Sequence, residues 1–205
     1  FRDGMTIMVG GFMGIGTPSR LVEALLESGV RDLTLIANDT AFVDTGIGPL
    51  IVNGRVRKVI ASHIGTNPET GRRMISGEMD VVLVPQGTLI EQIRCGGAGL
   101  GGFLTPTGVG TVVEEGKQTL TLDGKTWLHY KPFKVDVAVI HGSQADVVAN
   151  ISTSEEPADL DTYAVALAAH NNGGMVIAQV KSTADQHFVP ARKVTVPGVM
   201  IDHIV

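Results

Sequence analysis

Cysteine is nearly absent from this sequence, which has one thiol, Cys95, in 205 residues. A single cysteine excludes an internal disulfide and any cysteine-rich metal site. Aromatic residues make up only 4% of the chain, so a folded core must be built mainly from Val, Ile, Leu, Ala and Met. The chain is long enough to bury about 70% of the surface that its unfolded form exposes, and it therefore needs no covalent cross-links to fold.

Basic clusters and long apolar runs are also missing. Lys and Arg never occur in runs longer than two, and the formal net charge is -5, which argues against the basic stripe that nucleic-acid binding needs. No apolar stretch approaches the about 18 residues of a membrane-spanning helix, and no signal peptide is visible. The six histidines are scattered, which argues against a zinc site. We therefore expect a cytoplasmic protein without a metal, a nucleic-acid partner or a membrane.

Short apolar segments alternate with stretches of helical periodicity along the chain. Strands are predicted over residues 5–9, 33–37, 56–62, 81–84, 135–141 and 175–180, and helices over residues 18–28 and 159–170. Thr17 is placed to cap the first helix, and Pro18 suits its first turn. This alternation predicts an α/β fold with a mostly parallel sheet covered by helices on both faces. Because no linker is evident, we expect a single domain over residues 1–205.

One stretch departs from the α/β pattern. Residues 118–122 and 125–128 form short alternating runs on either side of Asp123-Gly124. Asp-Gly between two such runs is a strong local signal for a β-hairpin with a tight turn. We expect this small hairpin to decorate the main sheet.

Glycine is concentrated in two segments. Residues 10–16 lie between the first strand and the first helix, where open α/β sheets bind ligands and backbone N–H groups can approach an anion. Their spacing does not match the dinucleotide motif G-x-G-x-x-G, so a plain tight turn is the alternative. Residues 96–111 contain seven glycines in sixteen positions, and ordering so much free backbone is costly. A loop whose backbone lines a narrow channel would explain this, and two glycine-rich loops on one sheet together predict a site for a long ligand with a thin arm.

The first glycine segment is part of a longer motif. The pattern is D-G-x-x, three apolar residues, G-G-F, any three residues and G-x-P, and its fixed positions are Asp3, Gly4, Gly10, Gly11, Phe12, Gly16 and Pro18. It resembles the first signature of the 3-oxoacid (family I) CoA-transferases. Residues 62–68, 84–89 and 96–111 are similar to the same family in the same order, and the match from residue 3 to about residue 128 resembles acetate/acetoacetate CoA-transferase α subunits. The resemblance implies the CoA-transferase (NagB/RpiA-like) fold.

Beyond about residue 129, residues 141–146 and 150–152 look more like the single-chain, broad-specificity relatives. The family usually carries D-x-x-G-N at this point. Here the motif runs from Asp146 to Asn150, with Ala149 in place of the glycine. This departure leaves open the conformation of the turn, and also the branch of the family to which the chain is most similar.

The resemblance also implies a chemistry. Family members exchange CoA through a glutamate that forms a mixed anhydride and then a glutamyl thioester, which splits one hard transfer into easier steps. That glutamate lies in a short S-E-N-G-like motif of the β half, which this chain lacks. The resemblance therefore implies no catalytic nucleophile here, a β subunit as partner in an α2β2 assembly, an acyl-CoA and a short-chain carboxylate as substrates, and no permanently bound cofactor.

Two sets of site residues follow from the resemblance. Asn38 and Gln86, each at the end of a predicted strand, would hydrogen-bond the carboxylate of the acid, although each could instead cap a turn. Gly10, Gly11 and Phe12 would lie beside the reacting groups. The pantetheine arm of CoA would lie along Gly97, Ala98, Gly99, Gly101, Gly102, Phe103, Thr105, Pro106 and Thr107.

Several other polar residues are interpreted as structural. Glu91 and Arg94 are expected to form a surface pair on a helix, Cys95 to be an unreactive thiol, and His63 to have no metal partner. The Glu155-Glu156 pair is expected in a solvated loop. Two other functions remain open: a sugar-phosphate isomerase or ligand-sensing module with the same kind of sheet, and a non-catalytic regulatory chain derived from a transferase.

Overall fold

The computed structural model describes residues 1–184 and 189–205. Within these two ranges, five α-helices connect the strands: α1 (Ser19–Glu27), α2 (Gly48–Val52), α3 (Pro68–Ser76), α4 (Gln86–Gly97) and α5 (Thr162–Asn171). The strands, in chain order, are β1 (Thr6–Val9), β2 (Leu33–Ile36), β3 (Val56–Ala61), β4 (Asp80–Leu83), β5 (Phe103–Thr105), β6 (Gln118–Leu122), β7 (Lys125–Tyr130), β8 (Val137–Ala145), β9 (Ile151–Ser152), β10 (Met175–Thr183) and β11 (His203–Ile204). Within the described ranges no helix is both long and apolar enough to cross a membrane.

The main sheet runs in the order β11-β10-β8-β1-β2-β3-β4, and β9 pairs with β8 beside this path. The neighbours along the path are parallel, while β9 is antiparallel to β8. The predicted mostly parallel sheet is therefore confirmed. Because the strands are parallel, the loops that leave β1, β2, β3 and β4 emerge at the same edge of the sheet, which is where such sheets bind ligands.

Helices cover both faces of this sheet, as predicted. In β1, Ile7 and Val9 pack into a cluster with the buried side chains of α1 and α2, whereas Met8 packs into a second cluster with α4 and α5. This alternation follows from the two-residue period of a strand. A central strand buried on both faces is a nearly continuous run of apolar residues, which is why β1, with Ile7, Met8 and Val9, is easy to recognise in the sequence.

Helix α1 shows one error in the sequence-based prediction. The helix begins at Ser19 with Pro18 as its N-cap, and no side chain of the cap residue bonds to it, so the prediction that Thr17 caps the helix is wrong. Gln179 of β10 does this instead, since its Oε1 accepts hydrogen bonds from the backbone N–H groups of Arg20 at 2.9 Å and Leu21 at 3.4 Å. A cap supplied from a distant strand leaves no local sequence signal.

Other boundaries also differ from the predictions. Strands β8 and β10 extend several residues beyond their predicted ends, and α5 begins at Thr162 rather than at residue 159. No pattern predicts α2, which has only 5 residues, or α3, whose surface is largely exposed.

The predicted hairpin is confirmed as β6 and β7. Its turn residues Asp123 and Gly124 have φ values of 50° and 73°. Positive φ at both central residues is typical of the two-residue turn whose twist matches that of the flanking strands. The hairpin belongs to a separate three-stranded sheet in the order β5-β7-β6. Strand β5 comes from the glycine-rich segment that was expected to be a loop, so this part of that expectation is wrong.

The turn after β8 contains the departure from the family motif. The buried Asp146 carboxylate accepts bonds from the backbone N–H of Val148 at 3.1 Å, and from the backbone N–H and side-chain Nδ2 of Asn150 at 2.8 and 2.9 Å. Burial alone would raise the pKa of Asp146, but these hydrogen bonds outweigh it and lower the pKa. Ala149 closes the turn with a φ of 64°. The family's glycine thus corresponds to a left-handed position, which alanine adopts here at a cost.

Candidate functional site

Three loops from the carboxyl edge of the sheet and the entry to α5 meet at one point. Gly11 and Phe12 follow β1, Asn38 follows β2, Gln86 opens α4 after β4, and Asp161 is the N-cap residue of α5. The structure therefore brings Asn38, Gln86 and the Gly10–Phe12 loop together, although they are far apart in the chain. Their predicted roles toward a ligand stay predictions.

Hydrogen bonds link these side chains into one continuous chain. Ser62 Oγ donates to Gln86 Oε1 at 2.5 Å, and Gln86 Nε2 donates to Asn38 Oδ1 at 2.6 Å. Asn38 Nδ2 donates to the Gly11 carbonyl at 2.8 Å and to Asp161 Oδ2 at 3.0 Å. Both hydrogens of Asn38 Nδ2 are thus engaged within the protein. Gln86 keeps a second N–H hydrogen, so it is the amide that can donate to a ligand in this arrangement.

Asp161 is the site residue that the sequence patterns missed. Its side chain does not cap α5; instead Oδ1 accepts the backbone N–H of Gly11 at 3.1 Å while Oδ2 accepts Asn38. The residue is 6% exposed. Burial, with a smaller contribution from the nearby Asp39 carboxylate, raises the pKa of Asp161 to about 6 against the opposing effect of these hydrogen bonds. Asp is a preferred N-cap residue, and this preference could have placed the helix start here, but not the contact with Gly11.

A cleft of about 300 Å³ opens beside this network. Its lining combines three apolar side chains with the two amides and the carboxyl group, and these residues are Phe12, Asn38, Gln86, Ile90, Leu160 and Asp161. Phe12 is 46% exposed and stands at the rim. No glutamate, lysine or arginine lines this cleft among the described residues. The cleft is shaped for a small, partly apolar group held by one or two polar contacts.

A second cleft of about 370 Å³ lies on the other side of the first turns of α4. It is lined by Pro85, Gly87, Thr88, Glu91, Phe103, Leu104, Thr105 and Thr107. Three of the residues predicted to lie along CoA therefore line it: Phe103, Thr105 and Thr107. Gln86 lines the first cleft and its neighbour Gly87 lines the second, so the two clefts lie against different faces of the start of α4.

The remaining residues of the second glycine segment fall in different surroundings. Gly97 lies inside α4 and is buried, and a Cβ there would lie 2.8 Å from Leu167 Cγ of α5. The expectation that Gly97 belongs to a loop is therefore wrong, since close packing of two helices explains its lack of a side chain. Ala98 is the C-cap of α4. Gly99 and Gly101 have open space around them, while Gly102 packs against the Tyr130 carbonyl group.

The polar residues interpreted as structural are mostly where they were expected. Glu91 and Arg94 form an ion pair at 2.6 Å with both side chains exposed, as predicted. Cys95 is buried in α4, where burial raises the pKa of its thiol, and the Glu91 carboxylate adds to this effect. A thiol with a raised pKa is a poor nucleophile, which agrees with the expected unreactive role.

The prediction of a solvated loop is wrong for Glu156. Its side chain is only 7% exposed and forms an ion pair with Lys181 at 2.7 Å. His141 Nδ1 lies 3.3 Å from the same carboxylate, and Ser143 Oγ donates to it at 3.2 Å. Burial opposes ionisation, but the hydrogen bond from Lys181 and the charge of His141 lower the pKa of Glu156. The carboxylate ties the loop after β9 to β8 and β10.

A larger cavity of about 550 Å³ lies at the opposite edge of the sheet, against the first residues of β1, β8 and β10. Its lining includes Arg2 and Lys134 but none of the residues that were predicted as a site. Ligands of open α/β sheets bind beyond the carboxyl ends of the strands, so we assign the site to the paired clefts instead. In the described part of the chain, no group of three or more His, Cys, Asp or Glu residues is placed to hold a metal ion.

An α/β sheet with paired clefts at its carboxyl edge is typical of proteins that bind a small-molecule ligand. Comparison with known proteins makes the class specific: the family model described as coenzyme A transferase matches residues 1–205. The chain therefore belongs to the coenzyme A transferase family, and the resemblance found in the sequence motifs is confirmed.

Two relatives and one solved structure illustrate this membership. The chain is 70% identical over 205 residues to the acetate CoA-transferase subunit alpha of Escherichia coli (strain K12), which covers 100% of this chain and 91% of that protein. It is 43% identical over 205 residues to the acetoacetyl-CoA:acetate/butyrate CoA transferase alpha subunit of Clostridium acetobutylicum, covering 100% of this chain and 92% of that one. The acyl-CoA transferase YdiF of E. coli O157:H7, in a thioester complex with CoA, superposes with a TM-score of 0.90 at 27% identity. That match covers 100% of this chain but 44% of the YdiF chain.

Proposed function

We propose that this chain is the α subunit of an acyl-CoA:carboxylate CoA-transferase of the acetate/acetoacetate type. It moves CoA between short-chain carboxylic acids in the cytoplasm, with residues 1–205 acting as a single CoA-transferase α-type domain. The nucleophilic glutamate is supplied by a β subunit in an α2β2 assembly, and CoA enters as a thioester substrate rather than as a bound cofactor.

The observation that carries this proposal is the make-up of the first cleft. Its described lining contains amides and apolar groups but no glutamate. Asp161 is a poor substitute as nucleophile, because it is 6% exposed and both of its oxygens accept hydrogen bonds. Glu91 lines the second cleft, but its carboxylate is already paired with Arg94. A covalent mechanism through a carboxylate at the first cleft is therefore best served by a carboxylate from the β subunit.

The two clefts divide the substrate between them. The acyl group and its carbonyl oxygen occupy the first cleft, where the free N–H of Gln86 faces the reacting centre. The pantetheine arm extends into the second cleft past Gly87, whose missing side chain leaves open space, and along Phe103, Thr105 and Thr107. Gly97 contributes to this path only indirectly, through the packing of α4 on α5.

The sugar-phosphate isomerase hypothesis fits this site less well. A phosphate needs converging Lys or Arg side chains, and the described lining of the two clefts contains neither. The regulatory-chain hypothesis predicts that the Asn38 and Gln86 amides have no effect on the rate of CoA transfer. The following experiment distinguishes this hypothesis from the proposal.

The test is CoA exchange between acetoacetyl-CoA and acetate. The purified chain alone should be inactive, and addition of a β subunit should produce exchange. In the reconstituted enzyme Gln86→Ala should lower kcat/KM by about 10–100-fold, since a hydrogen bond to a charged group contributes roughly 1.5–3 kcal/mol. Gln144→Ala is the matched control, because Gln144 is exposed on β8, and it should change kcat/KM less than about twofold.

Two outcomes would contradict the proposal. Full exchange by the chain alone would mean that the nucleophile lies within it. Unchanged kinetics in the Gln86→Ala enzyme would favour the regulatory hypothesis, because the amide would then lie away from the reacting groups.

A further inference from the structure

The first cleft contains a single ionisable side chain among its described residues, and that side chain is a carboxyl group. Asp161 is 6% exposed, and its hydrogen-bond partners are a backbone N–H and an amide rather than a cation. None of the ion pairs among the described residues involves Asp161. The charge of this group is therefore not neutralised within the chain.

The network around Asp161 is arranged for its ionised form. The Gly11 carbonyl fixes the orientation of the Asn38 amide, since a flipped amide would place Asn38 Oδ1 against that carbonyl and against the Asp161 carboxylate. With Asn38 held, both Asp161 oxygens face donors. Protonating either oxygen means weakening one of these hydrogen bonds.

Burial acts in the opposite direction. It raises the pKa of Asp161 to about 6, and the Asp39 carboxylate contributes to the increase. Asp39 follows Asn38 on the same loop and is held by the backbone N–H groups of Met13 and Ala41. The other described residues that face Asp161, from the loop after β1, from α4 and from Leu160, carry no charge. Asp161 can thus exist in either form near neutral pH.

The two substrates of a CoA-transferase differ in the charge they bring into this cleft. A free carboxylic acid brings an anion, whereas the acyl group of a thioester is neutral. A second anion beside an ionised buried carboxylate is disfavoured, and the usual response of such a pair is to share one proton. The neutral thioester meets no such repulsion.

We propose that a free carboxylate enters this cleft together with a proton, which passes from solvent to a carboxylate oxygen of Asp161, whereas a thioester enters without one. This inference rests on the proposed function. When the acid is converted into an acyl-CoA and leaves the cleft, the proton returns to solvent. Asp161 in this way favours the neutral ligand at high pH and the anionic ligand at low pH.

The test measures KM for acetate and for acetoacetyl-CoA from about pH 5.5 to pH 8 in the reconstituted enzyme, a range in which a simple carboxylic acid stays ionised. For the wild-type enzyme, KM for acetate should rise above about pH 6, by up to about 10-fold per pH unit. KM for acetoacetyl-CoA should stay level. In the Asp161→Asn enzyme, KM for acetate should lose this dependence even if kcat falls. Asp44→Asn, which removes an exposed carboxylate, should keep the wild-type profile.

A second measurement needs no variant. Acetate added to the wild-type enzyme in weak buffer at pH 7 should cause proton uptake, which a pH indicator detects, and a non-hydrolysable thioester analogue should not. Exchange that shows no dependence of the acetate KM on pH, or binding of acetate without proton uptake, would overturn the inference while leaving the proposed function intact. Absence of any exchange would count against the proposed function itself.

Discussion

Replacing Ala149 with glycine should make the protein more stable. Ala149 has a φ of 64°, and a left-handed conformation costs a residue with a Cβ about 1–2 kcal/mol. Glycine removes that cost, but it also gives the unfolded chain more freedom, which offsets roughly 0.4–1 kcal/mol. The side chain of Ala149 is half-buried, so loss of one methyl group takes away a little more. We expect a net gain of about 0.5 kcal/mol, equivalent to an increase in Tm of about 1–2 °C for a chain of this length.

The assay is thermal and urea-induced unfolding of the purified protein. Ala24→Gly is the matched control, because it makes the same chemical change at an exposed interior position of α1. There glycine should destabilise the protein by about 1 kcal/mol. The two variants should therefore shift stability in opposite directions. A loss of stability in Ala149→Gly similar to that in the control would refute the reasoning, since it would mean that residue 149 does not adopt the left-handed conformation.

Two further changes test packing and charge. Gly97→Ala should destabilise the protein by about 1–3 kcal/mol, because the new Cβ would meet Leu167 Cγ and the backbone nitrogen of Ala168. Gly71→Ala in α3 is the control, since a Cβ there meets nothing. It should instead raise the free energy of unfolding by roughly 0.5–1 kcal/mol. Glu156→Gln should lower the free energy of unfolding by about 1–2 kcal/mol at pH 7, since it breaks the ion pair with Lys181, in which only the Glu156 side chain is buried. Glu155→Gln changes the exposed neighbour and should have almost no effect. Because the pKa of Glu156 is lowered in the folded state, its contribution is present above the pKa of the unfolded chain and is lost as pH falls through the folded pKa. The gap between wild type and Glu156→Gln should therefore close in acid, as unfolding curves measured at several pH values will show.

The parts of the fold that are visible in the sequence are those with local causes. Buried parallel strands such as β1 are apolar at nearly every position, and the Asp123-Gly124 turn selects its own conformation, so both can be predicted. The strand ends and the cap of α1 depend on distant partners. Gln179 is 159 positions from Arg20, and no window of sequence links the two.

The site follows the same division. Asn38 and Gln86 could be proposed because each follows a strand, and parallel strands deliver such residues to one edge. Asp161 lies at the same edge, but it belongs to the start of α5 and is 123 positions away from Asn38 in the chain. Its raised pKa comes from burial that only the assembled fold creates. Glu156 was misinterpreted for the same reason, since two adjacent acidic residues before a proline are usually solvated and only the folded strands β8 and β10 enclose this one.

Glycine content alone is a poor guide to where a ligand lies in this protein. Gly11 is required by its φ of 112° and by Thr17, whose Oγ1 would lie 2.5 Å from an added Cβ, and Gly97 is required by helix packing. Gly87 and Gly101 have neither constraint, because their φ values are ordinary and an added Cβ would meet nothing within 4 Å. Gly71 shares both properties but lines neither cleft. Folding therefore explains the glycines at positions 11 and 97 without a ligand. The case for a backbone-lined CoA channel depends on Gly87, which borders the second cleft, because Gly101, like Gly71, lines neither cleft.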